Sequence, residues 1–214
     1  MPKTKKSPAE EPKPYHHDDL RNALIRAGLE ILGEGGTHAL GFREVARRAG
    51  VSSAAPYRHF VGKSGLLAAI AEEGFVMMRK MEEVASAPFA GDPLRQLRAK
   101  CAIYIQFARD HPQHLRVMFG GILSHPDAPA SLTAAANELF SILVNKVSAC
   151  QQAGVFRQGD TEQQSMTIWA ALHGLAMILL DSNALPVQNV PEEPLAMIDW
   201  VLVPLMQGLL ENKK

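Results

Sequence analysis

The chain has 214 residues, 47% of them hydrophobic and 21% charged, with 22 Lys and Arg balanced by 22 Asp and Glu. That length suits one large domain or a small one fused to a larger one, and the composition is too apolar for disorder and too interrupted by charge for a membrane protein. Overall neutrality advertises neither nucleic acid nor membrane, and Cys101 and Cys150, which lack CxxC or Cys/His ligand spacing, fit reduced core thiols better than a disulfide or zinc frame.

No apolar run approaches the roughly 18 to 20 residues that span a bilayer, and the start from Lys3 to Pro14 lacks the apolar stretch of a signal peptide. A soluble cytoplasmic protein is expected, with a mobile Lys/Pro/Glu-rich tail over residues 1–17. Apolar spacing beyond the tail is helical, without sustained period-two alternation, so an all-α chain of about nine helices is predicted. Leu20, Ala23, Leu24, Ala27 and Ile31 share one face of a first helix, which Asp18 and Asp19 open and Gly35-Gly36 stop.

Short helices are predicted over about 42–49 and 53–60, separated only by Gly50-Val51-Ser52, so they form a helix-turn-helix candidate. Gly50 is where a left-handed angle ends the second helix, and Val45, Ala46, Ala49 and Val51 are expected to make a small core with helix one and Phe60. Ser52 or Ser53 is suited to cap the third helix, and Pro56, tolerated in a first turn, favours a start at Ser53. Leu66, Ala69, Ile70, Met77 and Met81 mark a fourth helix over about 63–86 that links a head (18–66) to a body (67–214).

Charge divides along the same line. Residues 1–67 hold 11 Lys and Arg against 7 Asp and Glu, residues 68–214 hold 11 against 15, and Arg43, Arg47, Arg48, Arg58 and Lys63 cluster around the single acid Glu44. A polyanion-binding head on an acidic body is the natural reading, because phosphate affinity requires local rather than total positive charge.

The segment FREVARRAGVSSAAPYRHFVGKSGLL, Phe42 to Leu67, resembles the helix-turn-helix signature of TetR-family (tetracycline-repressor-like) transcriptional regulators. The likeness spans roughly residues 18–70 and includes Val45-Ala46, Ala49-Gly50-Val51-Ser52, Tyr57, Phe60 and Lys63; beyond it the chain matches mainly in length and helix count. A third helix in the major groove brings Ala54 and Ala55 close to thymine methyls and Ser53 to a base edge or phosphate, with Ser52 beside it. The resemblance implies that Tyr57 and His59 lie along phosphates or bases, that Lys63 holds a phosphate and that Arg43 reaches into the groove. Arg58 adds a base or phosphate contact, and Arg43 and Arg58 are expected to carry specificity, since a bidentate arginine–guanine contact is worth about 1 to 3 kcal/mol of discrimination. Arg47 and Arg48 read as a solvated helix face. Where the family often has a glutamate after the lysine, this chain has Ser64-Gly65, so the fourth helix starts with less capping. Gly62-Lys63-Ser64 is not a phosphate-binding loop, because Tyr57 stands where that motif needs glycine.

Further helices are predicted at about 94–110, 113–120, 130–152, 161–183 and 194–211, with Asp160 and Gln163 as a capping box. Trp169-Ala170-Ala171-Leu172-His173-Gly174 resembles the tryptophan, histidine, glycine pattern of one TetR-like subgroup, as does the stretch from Pro112 to Phe119. Trp169 and His173 share a helix face, and an imidazole there suits one polar group of an otherwise apolar ligand, although a core histidine satisfied by a carbonyl reads equally well. Tyr104, Phe107, Met118, Phe119, Met166 and Met177 are the further candidates for lining such a cavity.

Leu195, Ile198, Leu202, Leu205 and Leu209 form an apolar stripe on the last helix, kinked or ended by Pro204, and suit a four-helix homodimer interface. Two heads about 34 to 36 Å apart then address adjacent half-sites of a palindromic double-stranded DNA operator. The resemblance implies repression relieved when a small-molecule effector moves helix four and changes head separation. There is no GxSxG, HExxH or GxGxxG motif, and Asp110, His111 and His114 lack a convincing third metal ligand, so no enzyme, cofactor or metal is expected. The alternative is a helical small-molecule-binding or hydrolytic protein whose head is an interaction module.

Overall fold

Glycine and proline punctuation, rather than helix propensity, decides where this chain turns. The computed structural model describes residues 17–180, 191 and 193–208, which form nine α-helices and two short 3₁₀ turns. The tail, the Pro186 side of the break before the last helix, and Leu209 lie outside them. The chain divides into two compact units, residues 1–60 and 61–214.

In the first unit, α1 (His17–Ala39) is broken at Gly36, whose φ of 62° and ψ of −163° leave the helical region where the sequence predicts a stop. Leu24, Ile25 and Ile31 of α1 are buried with Val45 and Ala46 of α2 (Phe42–Arg48) and with Phe60, while Ala49 and Val51 are only half-buried. The α2 terminus closes as a Schellman motif: Gly50 has φ 67°, its N–H donates to the Arg47 carbonyl at 3.3 Å, and the Val51 N–H donates to the Ala46 carbonyl at 3.0 Å. The third helix, α3 (Ala55–His59), starts two residues later than expected and neither serine side chain caps it. Instead the Ser52 carbonyl accepts the Ala55 N–H at 2.9 Å, a backbone turn that supersedes the side-chain cap, and Pro56 occupies the first turn.

The second unit is a helical bundle of α4 (Gly62–Ser86), α5 (Pro93–Asp110), α6 (Pro112–Met118), α7 (Ala130–Gln152), α8 (Thr161–Leu180) and α9 (Pro194–Gln207). Helix α4 packs on α5, α6 and α7, and α5 also packs on α7, α8 and α9, which makes α5 the central element. Its buried face of Leu97, Cys101, Tyr104, Ile105 and Ala108 follows the three- and four-residue spacing of the sequence. Asp160 caps α8, its Oδ1 accepting the Gln163 N–H at 2.9 Å. Helix α9 continues through Pro204 for three residues. No helix among the described residues is long and apolar enough to cross a membrane.

Candidate nucleic-acid interface and small-molecule cavity

The Schellman turn and the one-turn α3 present a continuous run of exposed side chains. Ser52, Ser53, Ala54, Tyr57 and Arg58 are exposed, as is Arg43 in the first turn of α2, whereas Ala55 and Pro56 are buried and His59 is half-buried. Ala54 is therefore the small residue on the outer face, and the Ala55 methyl belongs to the core. Tyr57 is 67% exposed yet held in place by an edge-to-face contact with Phe42, ring centroids 4.9 Å apart. Arg21 of α1 lies over Phe60 at 5.7 Å. Lys63 is exposed at the second position of α4, in the other unit.

The arginines of α2 are not equivalent. Arg47 Nε and Nη2 clamp Glu44 at 2.8 and 2.7 Å, and Arg48 bridges Glu44 of α2 (2.8 Å) and Glu34 of α1 (2.7 and 2.5 Å). Hydrogen bonds from Arg47 and then Arg48 hold the Glu44 carboxyl down at about 2. Arg48 is thus a clamp between two helices rather than a solvated face. Arg43 and Arg58 have no ion pair among the described residues.

In the second unit a cavity of about 240 Å³ lies between α4, α5, α7 and α8. Phe75 of α4, Lys100 and Tyr104 of α5, Phe119 and Leu123 after α6, and Met166, Trp169 and Leu172 of α8 line it. Helix α7 supplies the remaining wall with Ala136, Asn137, Leu139, Phe140 and Leu143. Of the residues anticipated from sequence, Tyr104, Phe119, Met166 and Trp169 border it. Phe107 and Met118 are fully buried elsewhere in the core, and Met177 is 40% exposed on the outside of α8. His173 is placed behind the wall: its ring stacks on Trp169 (5.2 Å, 15°), meets Phe119 edge-on (4.7 Å), and its Nδ1 lies 2.9 Å from the Tyr104 hydroxyl. It contacts three lining aromatics, Trp169, Phe119 and Tyr104, without lining the cavity itself.

Sequence reasoning missed Phe75, Lys100, Leu123, Leu172 and the α7 wall. A lysine within an amphipathic helix reads as solvent-facing, and the face that α7 turns inward depends on which neighbours it meets. Among the described residues no group of three or more His, Cys, Asp or Glu is placed to hold a metal; His114 Nε2 instead lies 3.2 Å from Glu73 Oε1.

The last helix requires a correction. Ile198 and Leu202, expected at a dimer interface, are 1% and 2% exposed and face the bundle. On the last two helices the exposed large apolar side chains among the described residues are Leu195, Trp200 and Val203 of α9 and Met166, Met177 and Ile178 of α8.

Residues 24–70 match the family described as bacterial regulatory proteins, tetR family. Residues 97–204 match the tetracyclin repressor-like C-terminal domain. The chain is 35% identical over 151 residues to the tetracycline repressor protein class A from transposon 1721 of Escherichia coli, covering 69% of this chain and 61% of that protein. It is 29% identical over 124 residues to the HTH-type transcriptional activator FasR of Mycolicibacterium smegmatis, covering 55% of this chain and 54% of that one. The matched region thus spans less than two thirds of either relative. Among solved structures, a protein with unknown function from Rhodococcus sp. RHA1 is similar with a TM-score of 0.79 and 28% identity, over 94% of this chain and 100% of that one. With a C-terminal match covering half of its length, and the helix-turn-helix match before it, the chain belongs to the TetR family of bacterial regulatory proteins.

Proposed function

We propose that this chain is a cytoplasmic, ligand-responsive transcriptional regulator that binds a palindromic operator as a homodimer and is released from it by a small apolar or amphipathic effector. The family is one of regulatory proteins rather than enzymes. The observation that carries the reading is the outward presentation of Arg43, Ser53, Ala54, Tyr57 and Arg58 around a closed turn, while Arg47 and Arg48 are held by carboxylates. Arg43 and Arg58 read base edges, Tyr57, His59 and Lys63 the phosphates, and Ala54 allows close approach to the groove. The stacked Trp169 and His173, followed by Gly174, support placement in the tryptophan-histidine-glycine subgroup.

The dimer face follows from exposure. Met166, Ala170, Gly174, Met177 and Ile178 repeat at spacings of four, four, three and one along α8, all exposed, and a Cβ added at Gly174 would meet nothing within 4 Å in the chain. A second copy of α8 can approach that small-residue stripe closely, with Trp200 and Val203 of α9 extending it. Coupling between effector and DNA in such regulators amounts to about 1 to 3 kcal/mol.

The reading is tested by selecting bound duplexes from fragmented genomic DNA of the source organism and titrating the enriched site at two salt concentrations. Enrichment of a palindrome bound by a dimer with salt-dependent affinity supports it. Folded, dimeric protein that selects nothing at low salt, even after unfolding, ligand removal and refolding, overturns it and favours the interaction-module alternative.

A further inference from the structure

Lys100 is the one charged residue on the cavity wall, and it shares its counter-ion with a second lysine. Its side chain is 9% exposed and Nζ donates to Glu82 Oε2 of α4 at 2.5 Å. Lys146 of α7, 14% exposed, places a second ammonium 3.9 Å from the other oxygen of the same carboxylate. That oxygen, Glu82 Oε1, is buried without a hydrogen-bond partner. Glu83 and Glu138, 76% and 58% exposed, share the single cation Arg79, so the wider cluster is neutral and Lys100 and Lys146 divide the one buried carboxylate between them. Three helices therefore converge on one buried carboxylate between two ammonium groups, Lys100 on the side of the cavity and Lys146 on the side of a neighbouring open groove.

A ligand anion brought against a buried ammonium is held far more strongly than in water, and here a second lysine stands ready to keep Glu82 paired when Lys100 is engaged. We infer that the effector is an amphipathic carboxylate, whose apolar body lies among Phe75, Phe119, Trp169 and Leu172 and whose carboxylate accepts from Lys100. This deepens the proposed function by naming the effector class, and it rests on that reading. The exchange balances: Lys100 turns from Glu82 to the ligand, and Lys146 remains as the partner of Glu82, closing toward Oε1. Asn137, also on the wall, supplies an amide donor. Burial already holds the Lys146 pKa below its ordinary value, in keeping with an ammonium that lacks full compensation. The volume, on the order of eight water-sized groups at ~30 Å³ each, suits a body of medium chain length or one aromatic ring. Withdrawal of Lys100 also removes a buried tie between α4 and α5.

The test reads binding without DNA, so it is independent of whether an operator exists. Hexanoate, octanoate, decanoate and 4-phenylbutyrate are titrated into the full-length protein against the alcohols of the same skeletons, with intrinsic tryptophan fluorescence and the melting temperature as readouts. At least one carboxylate is expected to bind tenfold or more tightly than its alcohol. Lys100→Met should bring the two to parity while alcohol binding persists. Glu82→Gln, which removes the competing anion and keeps the shape, should tighten carboxylate binding several-fold, and it serves if Lys100→Met does not fold. Equal affinity for acid and alcohol, no binding by any acid of the series, or an acid preference unchanged in both variants would overturn the inference. A palindrome recovered by DNA selection alongside such a result would leave the regulator reading standing and remove only the carboxylate.

Discussion

The Tyr104 hydroxyl and the Nδ1 of His173, 69 positions apart in sequence, meet at 2.9 Å between α5 and α8. Burial pushes the phenol above its ordinary range, opposed by a hydrogen bond from Trp169, so Tyr104 stays protonated and pairs with the imidazole. Burial also lowers the His173 pKa from its ordinary 6.5. Above about pH 6.5 the ring is neutral in both folded and unfolded chains and the contact contributes fully. As pH falls through 6.5 the unfolded chain takes up the proton first, so stability declines toward the depressed folded pKa; His111, lowered by burial and then by His114, adds in the same direction. Melting curves from pH 8 to pH 5 should show this decline, and His173→Phe should flatten it. Tyr104→Phe should cost about 1 kcal/mol, or roughly 2 to 4 °C for a chain this size. An unchanged slope in His173→Phe would remove His173 as its source.

The paired and unpaired arginines of α2 should separate stability from recognition. Arg48 joins Glu34 and Glu44, and both carboxyls are held below their ordinary values, Glu44 at about 2 by Arg47 and then Arg48. A depressed carboxylate contributes above its unfolded pKa near 4.5 and loses that contribution as pH falls toward the folded value. Arg48→Ala should therefore return the Glu34 carboxyl toward 4.5 in an NMR titration, weaken the first unit in a salt-sensitive way, and leave the preference for a selected site over random DNA unchanged. Arg43→Ala should leave those carboxyls alone and reduce that preference about tenfold, within the 1 to 3 kcal/mol of a base contact. Equal loss on specific and random DNA would make Arg43 a phosphate contact instead.

The features legible in the sequence are those with a local cause. Gly50 stops α2 because only glycine adopts its left-handed angle without strain, Pro56 fixes the first turn of α3, and Asp160 caps α8 within its own turn. The cavity is legible only in part because a wall is assembled from four helices whose rotation is set by tertiary packing. The aromatic residues Tyr104, Phe119 and Trp169 were identifiable from residue type. Met118 and Phe107 look the same in sequence and lie in the core, and Lys100 was invisible because its burial depends on Glu82, 18 positions away. Ile198 and Leu202 show the same limit: the stripe is real, but packing on α5 and α8 turns it inward and leaves Trp200 and Val203 outside.

That inversion gives a test of the dimer face. Gly174→Glu places a charge on the small-residue stripe of α8, where nothing in the chain lies within 4 Å of the new Cβ. It should leave the helical signal and bundle stability nearly unchanged and shift sedimentation toward monomer, because a charge buried against a second helix has no partner. Ile198→Ala should do the reverse, losing about 2 to 4 kcal/mol of stability from a side chain only 1% exposed while a dimer persists. A Gly174→Glu protein that stays dimeric would move the interface off α8.

Gly74 in α4 lies close against α6. A Cβ there would stand 2.6 Å from Met118 Sδ, 3.1 Å from Met118 Cγ and 3.3 Å from His114 Cβ. Alanine ordinarily gains about 1 kcal/mol over glycine inside a helix. Here that gain is opposed, because Met118 is fully buried and its side chain has no solvent to swing into, while His114 is held beside Glu73 on α4. Overpacking a closed core costs about 1 to 3 kcal/mol, so the balance falls on the destabilising side by about 1 kcal/mol. Gly74→Ala should lower the urea midpoint of the full chain. Combining it with Met118→Ala, which vacates the volume the new methyl needs, should make the pair less destabilised than the sum of the single changes, as expected for residues in direct contact. Strict additivity, or an alanine variant more stable than the parent, would show that α6 yields at this contact and that the close approach of α4 and α6 does not depend on glycine.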